Sequence, residues 1–312
     1  MSALLDVILP VFILIGAGWL AAKRGIFTEG AVDGVMAFSQ NFAVPCLLFK
    51  SIATLDLAAA YQPGLLISFY AGAFAGFAAG YLGARYYFQR PAAESVAIGF
   101  ACLFSNSLLL GLPISERAYG TAALSGNYAI ISMHAPMLYG FGIALMEVVK
   151  SRQTGIRGGA LARQVLRTIF AQPLVLGIAA GLLVNLTGLP LPAVLTSAVD
   201  MLARTGIPAA LFALGGVLLR YSLQGDRGLV ALVCAGSLLV HPVVAYTLGR
   251  WGFHLDAPSL RSAVVTGAMP PGVNAYLFAH LYGTGRKVNA ASVLVATGLA
   301  LGTTWVWLQI LP

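Results

Sequence analysis

The chain has 312 residues, of which 59% are hydrophobic and only 9% charged, and its formal net charge is +8. Soluble domains are about 45–50% apolar and about 25% charged, so this composition excludes an ordinary water-facing globule. The net positive charge would suit nucleic acid, but its placement along the chain has a simpler cause.

Apolar runs of bilayer-spanning length recur between charged clusters. They predict about ten transmembrane helices, at residues 4–22, 32–53, 63–86, 94–115, 123–148, 168–187, 194–219, 228–249, 259–281 and 289–310. The first run starts almost at Met1, lacks a basic leader and leads into further spans, so it reads as a retained helix and not a cleaved signal. Between the fifth and sixth spans lies a short basic loop, 150–167, with no room for a soluble domain. Most of the 18 basic residues fall in odd-numbered loops (Lys23, Arg24, Arg85, Arg90, Lys150, Arg152, Arg157, Arg163, Arg167, Arg220, Arg227, Arg286, Lys287), whereas Lys50, Arg117, Arg250 and Arg261 lie on the even side. The positive-inside rule makes the odd loops cytoplasmic, which puts both termini outside a cytoplasmic (inner) membrane. Cys46, Cys102 and Cys234 sit within apolar runs without ligand spacing, so neither disulfide nor metal is implied.

Three short matches share one offset of 163 residues. Pro10, Gly18 and Gly25 match Pro173, Gly181 and Gly188; Pro45, Leu48 and Phe49 match Pro208, Leu211 and Phe212; Tyr119, Gly120 and Thr121 match Tyr282, Gly283 and Thr284. They predict a first repeat over 1–149 and a second over 168–312. Five helices per repeat is an odd number, so the repeats are inverted, a plan that recurs in secondary transporters. A duplication kept only for packing is the competing account.

The fourth span holds Ser105, Asn106 and Ser107 and then Gly111-Leu-Pro113; the ninth holds Pro270, Pro271, Gly272 and Asn274. Each proline inside a helix costs about 3 kcal/mol or more, so unwound stretches are expected. Irregular backbone survives at bilayer depth only when buried in protein or lining a cavity, and the Asn106 and Asn274 amides can satisfy part of it. Helices restarting at mid-membrane would aim two positive dipole ends at one place, which favours a carboxylate. Plain proline kinks plugged by asparagine are the alternative.

At these residues the chain resembles the auxin efflux carrier family, which includes plant PIN exporters and bacterial carriers assigned to malonate or related acids. The resemblance rests on Asn41-Phe-Ala-Val-Pro45-Cys-Leu-Leu-Phe49, Asn106-Ser-Leu-Leu-Leu-Gly111-Leu-Pro113-Ile, Gly206-Ile-Pro-Ala-Ala-Leu-Phe-Ala-Leu-Gly215 and Ala268-Met-Pro-Pro-Gly272. It implies an all-α integral membrane fold like that of the bile acid/sodium symporters, with broken helices 4 and 9 crossing. Helices 1, 2, 6 and 7 would form a scaffold and helices 3–5 and 8–10 a moving transport domain. It also implies elevator-type alternating access, often a homodimer, and transport of an organic acid. Carried over by position, Asn106, Pro270, Pro271 and Gly272 would line the crossing, and His134 would stand where plant members have a binding glutamine. Ser105 replaces the first crossover proline of plant members, and the central loop is short; both departures argue against auxin itself.

The carboxylates lie in loops or near span ends, Asp200 being the one candidate for depth, which disfavours a cation antiporter. Arg204 occupies the position equivalent to Asn41; it either attracts an anion from the scaffold side or snorkels and pairs with Asp200. His134 either bonds the substrate and takes up a proton at mildly acidic pH, or is a satisfied packing residue. Gly72, Gly76 and Gly80 are explained by close helix packing. Paired catalytic carboxylates, HExxH, GxSxG and phosphate loops are all missing, so an enzyme is not expected, nor a cofactor or metal. The expected function is transport of a small mono- or dicarboxylate, with a sodium- or proton-coupled symporter of the same architecture, or a receptor, as alternatives.

Overall fold

The computed structural model describes residues 3–154 and 172–312, with side chains from 6 to 150 and from 172 onward. Helix α1 runs over 3–23, α2 over Glu29–Ala53 and α3 over Pro63–Tyr87. The fourth expected span is divided into α4 (Ala92–Leu103) and α5 (107–119). Then come α6 (121–154), α7 (Pro173–Thr187), α8 (Ala193–Leu219) and α9 (Arg227–Gly252). The ninth expected span is divided into α10 (Ala257–Gly267) and α11 (Val273–Tyr282), and α12 is Arg286–Ile310. Among the described residues seven helices, namely α1, α2, α3, α6, α8, α9 and α12, are long and apolar enough to cross a bilayer. Helix α6 continues to Thr154, past the boundary expected at 149. The remainder of the expected basic loop, and the start of the sixth span at 168, lie outside the described residues.

Several helices start where a side chain accepts the first free amides. The Thr28 hydroxyl accepts from Ala31 N at 3.3 Å, and the Asp256 carboxylate from Ser259 N at 3.0 Å. Asp226 accepts from the amides of Gly228 (2.9 Å) and Leu229 (3.3 Å) and from Arg90 at 2.6 Å. These contacts, foremost the Leu229 amide, hold its carboxyl below the usual carboxylate range. Two matched glycine pairs terminate corresponding helices in the left-handed region that glycine alone enters freely: Gly25 and Gly188 (φ +73° and +62°), and Gly120 and Gly283 (φ +82° and +70°).

The helices gather into two packed groups. In the first, α1 lies on α8 and α2 on α7, at backbone contact through glycine. A Cβ added to Gly18 would meet Phe212 O at 1.8 Å, and one added to Gly181 would meet Phe49 O at 2.7 Å. Residues 18 and 181, and 49 and 212, are each separated by the same 163 residues, so one contact is the counterpart of the other. In the second group α3 lies against α4 and α9. Gly72 faces His241 O (2.5 Å to an added Cβ), Gly76 faces the carbonyls of Cys102 and Gly236, and Gly80 faces Gly99.

Asn127 on α6 ties together one half of each broken helix, α5 and α10. Its Nδ2 donates to Ser115 Oγ on α5 (3.0 Å) and Thr266 Oγ1 on α10 (2.9 Å), and its Oδ1 accepts from Ser262 Oγ (2.9 Å). At 1% exposure none of these partners can turn to water. Asn127→Leu is expected to cost about 3 kcal/mol by stranding three hydroxyls. A thermal melt of the purified protein checks this, and an unchanged midpoint would refute it.

Candidate substrate-binding site

The second group owes its shape to the two divided helices. Helix α4 ends at Leu103, and Phe104 turns out of helical geometry (φ −96°, ψ 83°). Helix α10 ends at Gly267, ahead of Pro270 and Pro271, which carry no amide hydrogen. The two unwound stretches pair with each other: Asn106 N donates to Pro270 O at 2.8 Å, and Gly272 N donates to Phe104 O at 3.0 Å. Ser105 thus lies antiparallel to Pro271, a two-bond bridge that satisfies the backbone where both helices stop.

Beyond this crossing the chain resumes helix in both strands. Asn106 and Gly272 are the N-cap residues of α5 and α11, and neither start has a side-chain capping bond. Ser107 N turns back to Ser105 O and Ala275 N to Gly272 O, and the other first amides of the two helices emerge side by side. They face a cavity of about 70 Å³. Of the residues expected from the sequence, Ser105, Asn106, Ser107, Gly272, Asn274 and His134 line it. Pro270 and Pro271 are buried in its frame and do not line it. Ser105 and Ser107 share a hydroxyl–hydroxyl hydrogen bond of 2.8 Å. His134 is 5% exposed, stands edge-on to Phe104 with ring centres 4.5 Å apart, and has no side-chain hydrogen-bond partner at either ring nitrogen among the described residues. A buried imidazole on a cavity wall, close to the Ser105 backbone, keeps ring-nitrogen capacity for a ligand or a water.

The remaining two expected residues are elsewhere. Asn41 is exposed on α2 and does not line the cavity, whereas its neighbour Gln40 does. Gln40 was legible as a polar residue inside an apolar span, but the phase of the helix was not. Arg204, with its side chain 78% exposed, lies in a separate vestibule of about 960 Å³ that opens at the face carrying Asp56, Arg117 and Asp200. There Asp200 accepts from Arg204 Nε at 2.8 Å and is also paired with Lys50. Arg117 donates to the carbonyls of Asp6 (3.2 Å) and Val7 (3.1 Å).

At the crossing the two halves correspond at a different offset from the three sequence matches. Phe104 stands to Pro270 as Asn106 stands to Gly272, a separation of 166 and not 163. Helix α5 opens with a wide π-helical turn, Ser107–Gly111, and is the longer of the two restarted helices, so Gly272 and not Met269 is the counterpart of Asn106.

Between vestibule and cavity lies an apolar cluster of Val44, Leu48, Leu112, Leu124, Ile131 and Ile178. Leu112 lines the vestibule, and Val44, Leu48, Ile131 and Ile178 line the cavity.

The sequence profile of the family described as "Membrane transport protein" matches residues 3–308. The chain belongs to that family. The protein is therefore a multi-pass membrane transporter and not an enzyme, and the resemblance to auxin efflux carriers is borne out. Among its relatives is a protein of Rhizobium meliloti (strain 1021) named "Putative malonate transporter", 23% identical, with 97% of this chain and 94% of the relative aligned. An "Uncharacterized transporter YfdV" of Escherichia coli (strain K12) is 21% identical over 97% of this chain and 96% of its own. An "Uncharacterized transporter" of Methanothermobacter thermautotrophicus is 24% identical over 98% of each chain.

Proposed function

We propose that this transporter carries a small organic acid, as a single anion, across the cytoplasmic membrane, and that the acid's carboxylate sits where α5 and α11 begin. The observation that carries the reading is the pair of helix starts facing one cavity whose walls, among the described residues, hold no Asp, Glu, Lys or Arg. Each helix start is worth about +0.5 charge, so the two together balance about one negative charge. Asn106, Asn274, the Ser105 and Ser107 hydroxyls and His134 supply further hydrogen bonds. A cavity of about 70 Å³ favours a short acid over an indole one, in keeping with the malonate assignment in one relative's name.

Reading α4 with α5, and α10 with α11, as single interrupted spans makes ten in all. The reciprocal Gly18–Phe212 and Gly181–Phe49 contacts and the paired glycine stops support two inverted repeats. An elevator follows naturally: α1, α2, α7 and α8 would stand still, and the group holding the crossing would slide along the apolar cluster, where no ion pair has to break. The exposed apolar sides of α2, α7 and α8, with Phe42, Leu186, Val194 and Met201, leave surface for a homodimer through the stationary group. With both termini outside, the vestibule is the external one, and Arg204, paired with Asp200, belongs to it and not to the carboxylate site.

Purified protein in liposomes, given a panel of organic acids under imposed voltage and pH gradients, tests the reading. Short acids should move and indole-3-acetate should not; silence across the panel from folded protein would overturn it. For a dicarboxylate such as malonate, uptake should rise several-fold as pH falls through the acid's own second ionisation, because the singly charged form then accumulates. A monocarboxylate already singly charged should show no such rise. Uptake that needs sodium would instead favour a symporter.

A further inference from the structure

A second cavity in the transporter lies away from the crossing, on the outside of the helix group that holds it. It is a groove of about 670 Å³ between α9 and α12, and small residues make it deep: Ala231, Cys234 and Ala235 on α9, Ala291 on α12. Val295 and Leu299 continue the α12 wall at four-residue spacing. The lining from Val230 to Leu239 rises about 13 Å at 1.5 Å per residue. Half of a hydrocarbon core of about 30 Å is nearly the same length. From its charged mouth the groove therefore runs through one leaflet, and on the α12 side it continues to Thr303, about 18 Å beyond Ala291 at 1.5 Å per residue.

Only one end of the lining is charged. Arg227 lines the groove and is exposed, and Gly225 beside it packs on the Lys287 carbonyl (3.4 Å to an added Cβ), which brings Arg286 and Lys287 to the same mouth. Among the described residues none of these three cations is in an ion pair. Asp226 is already held by Arg90 and by the amides at the start of α9, while Glu94 lies against Gly285 across the loop. All three cations fall in loops whose charge marks them as cytoplasmic, the leaflet that carries anionic lipid.

We propose that the groove between α9 and α12 binds one anionic phospholipid of the cytoplasmic leaflet, its phosphate on Arg227 and Lys287 and one acyl chain against Ala231, Ala235 and Ala291. A groove deep enough for an acyl chain, with cations at the headgroup end alone, selects a lipid over a second copy of the chain, which would need no charge at one end.

Native mass spectrometry of the detergent-purified protein, given equal amounts of dioleoylphosphatidylglycerol and dioleoylphosphatidylethanolamine, tests this. Wild-type protein should retain one phosphatidylglycerol, favoured at least tenfold over phosphatidylethanolamine. The surface variant Arg227→Gln with Lys287→Gln leaves the groove walls intact and should bring the ratio close to one. Ala235→Phe, which fills the groove, should abolish retention of both lipids while the protein still elutes as a single folded species. Equal retention of the two lipids by the wild type, or unchanged phosphatidylglycerol retention in the double variant, would overturn the proposal. So would efficient disulfide-linked dimers of a Leu239→Cys variant in membranes, which would place a second copy in the groove.

Discussion

Replacing Gly18 by valine should leave little folded protein, whereas the same change at Gly16 should be tolerated. A Cβ at Gly18 falls 1.8 Å from Phe212 O and 2.7 Å from its carbonyl carbon. Backbone cannot swing aside as a side chain can, so α1 and α8 would have to part by more than 1 Å along their shared line. Gly215 presses back from the other side, its added Cβ 2.0 Å from Ile15 O, so the separation would open both contacts at once. Overpacking of this kind costs about 3 kcal/mol and occasionally more, enough to remove much of an ordinary stability margin. Gly16 has nothing within 4 Å of an added Cβ, so it controls for the loss of glycine as such. Fluorescence-detected size exclusion and a thermal melt read the outcome. Equal monodisperse yields from Gly18→Val and Gly16→Val would mean that the two helices do not pack as described.

The second large effect belongs to the crossing. Asn106→Ala should lower transport about tenfold or more, the loss expected for one hydrogen bond to a charged group at about 1.5–3 kcal/mol. Folded yield should fall far less, because the bridge to Pro270 is made by the Asn106 backbone and survives the change. Asn106→Asp keeps the volume but adds a negative charge beside the expected carboxylate, so it should transport more poorly than the alanine variant. Asn274→Ala should follow Asn106→Ala in direction with a smaller loss, since Asn274 lies inside α11 and not at its cap. Liposome uptake per folded molecule is the measurement. Transport that declines only in step with yield would make both asparagines plugs in kinked helices and nothing more.

Much of this arrangement was open to sequence reasoning because bilayer physics restricts what the residues can do. Apolar length marked the helices, and the charged loops were read for their orientation. Pro270 and Pro271 could not sit in continuous helix, and the chain does leave helical geometry there. What escaped was rotational phase and register. α1 and α3 are apolar on every side, so no polar face reveals which residues turn inward. In α2 a π-helical turn over Ser39–Ala43 shifts the phase, so Gln40 lines the cavity where Asn41 was expected. The longer restart at Ser107–Gly111 was equally hidden, because an extra wide turn changes neither composition nor hydropathy. Asn127 escaped as a lone amide whose partners, Ser115, Ser262 and Thr266, come from two other helices.

The cluster of Val44, Leu48, Leu112, Ile131 and Ile178 has an electrical meaning as well. A hydrated proton or sodium ion arriving in the vestibule meets a wall that offers no oxygen to replace its water shell, so the idle protein should behave as an insulator. On the proposed function, a cell could then hold many copies in its membrane and keep its resting voltage, since current would flow only when the anion makes the passage.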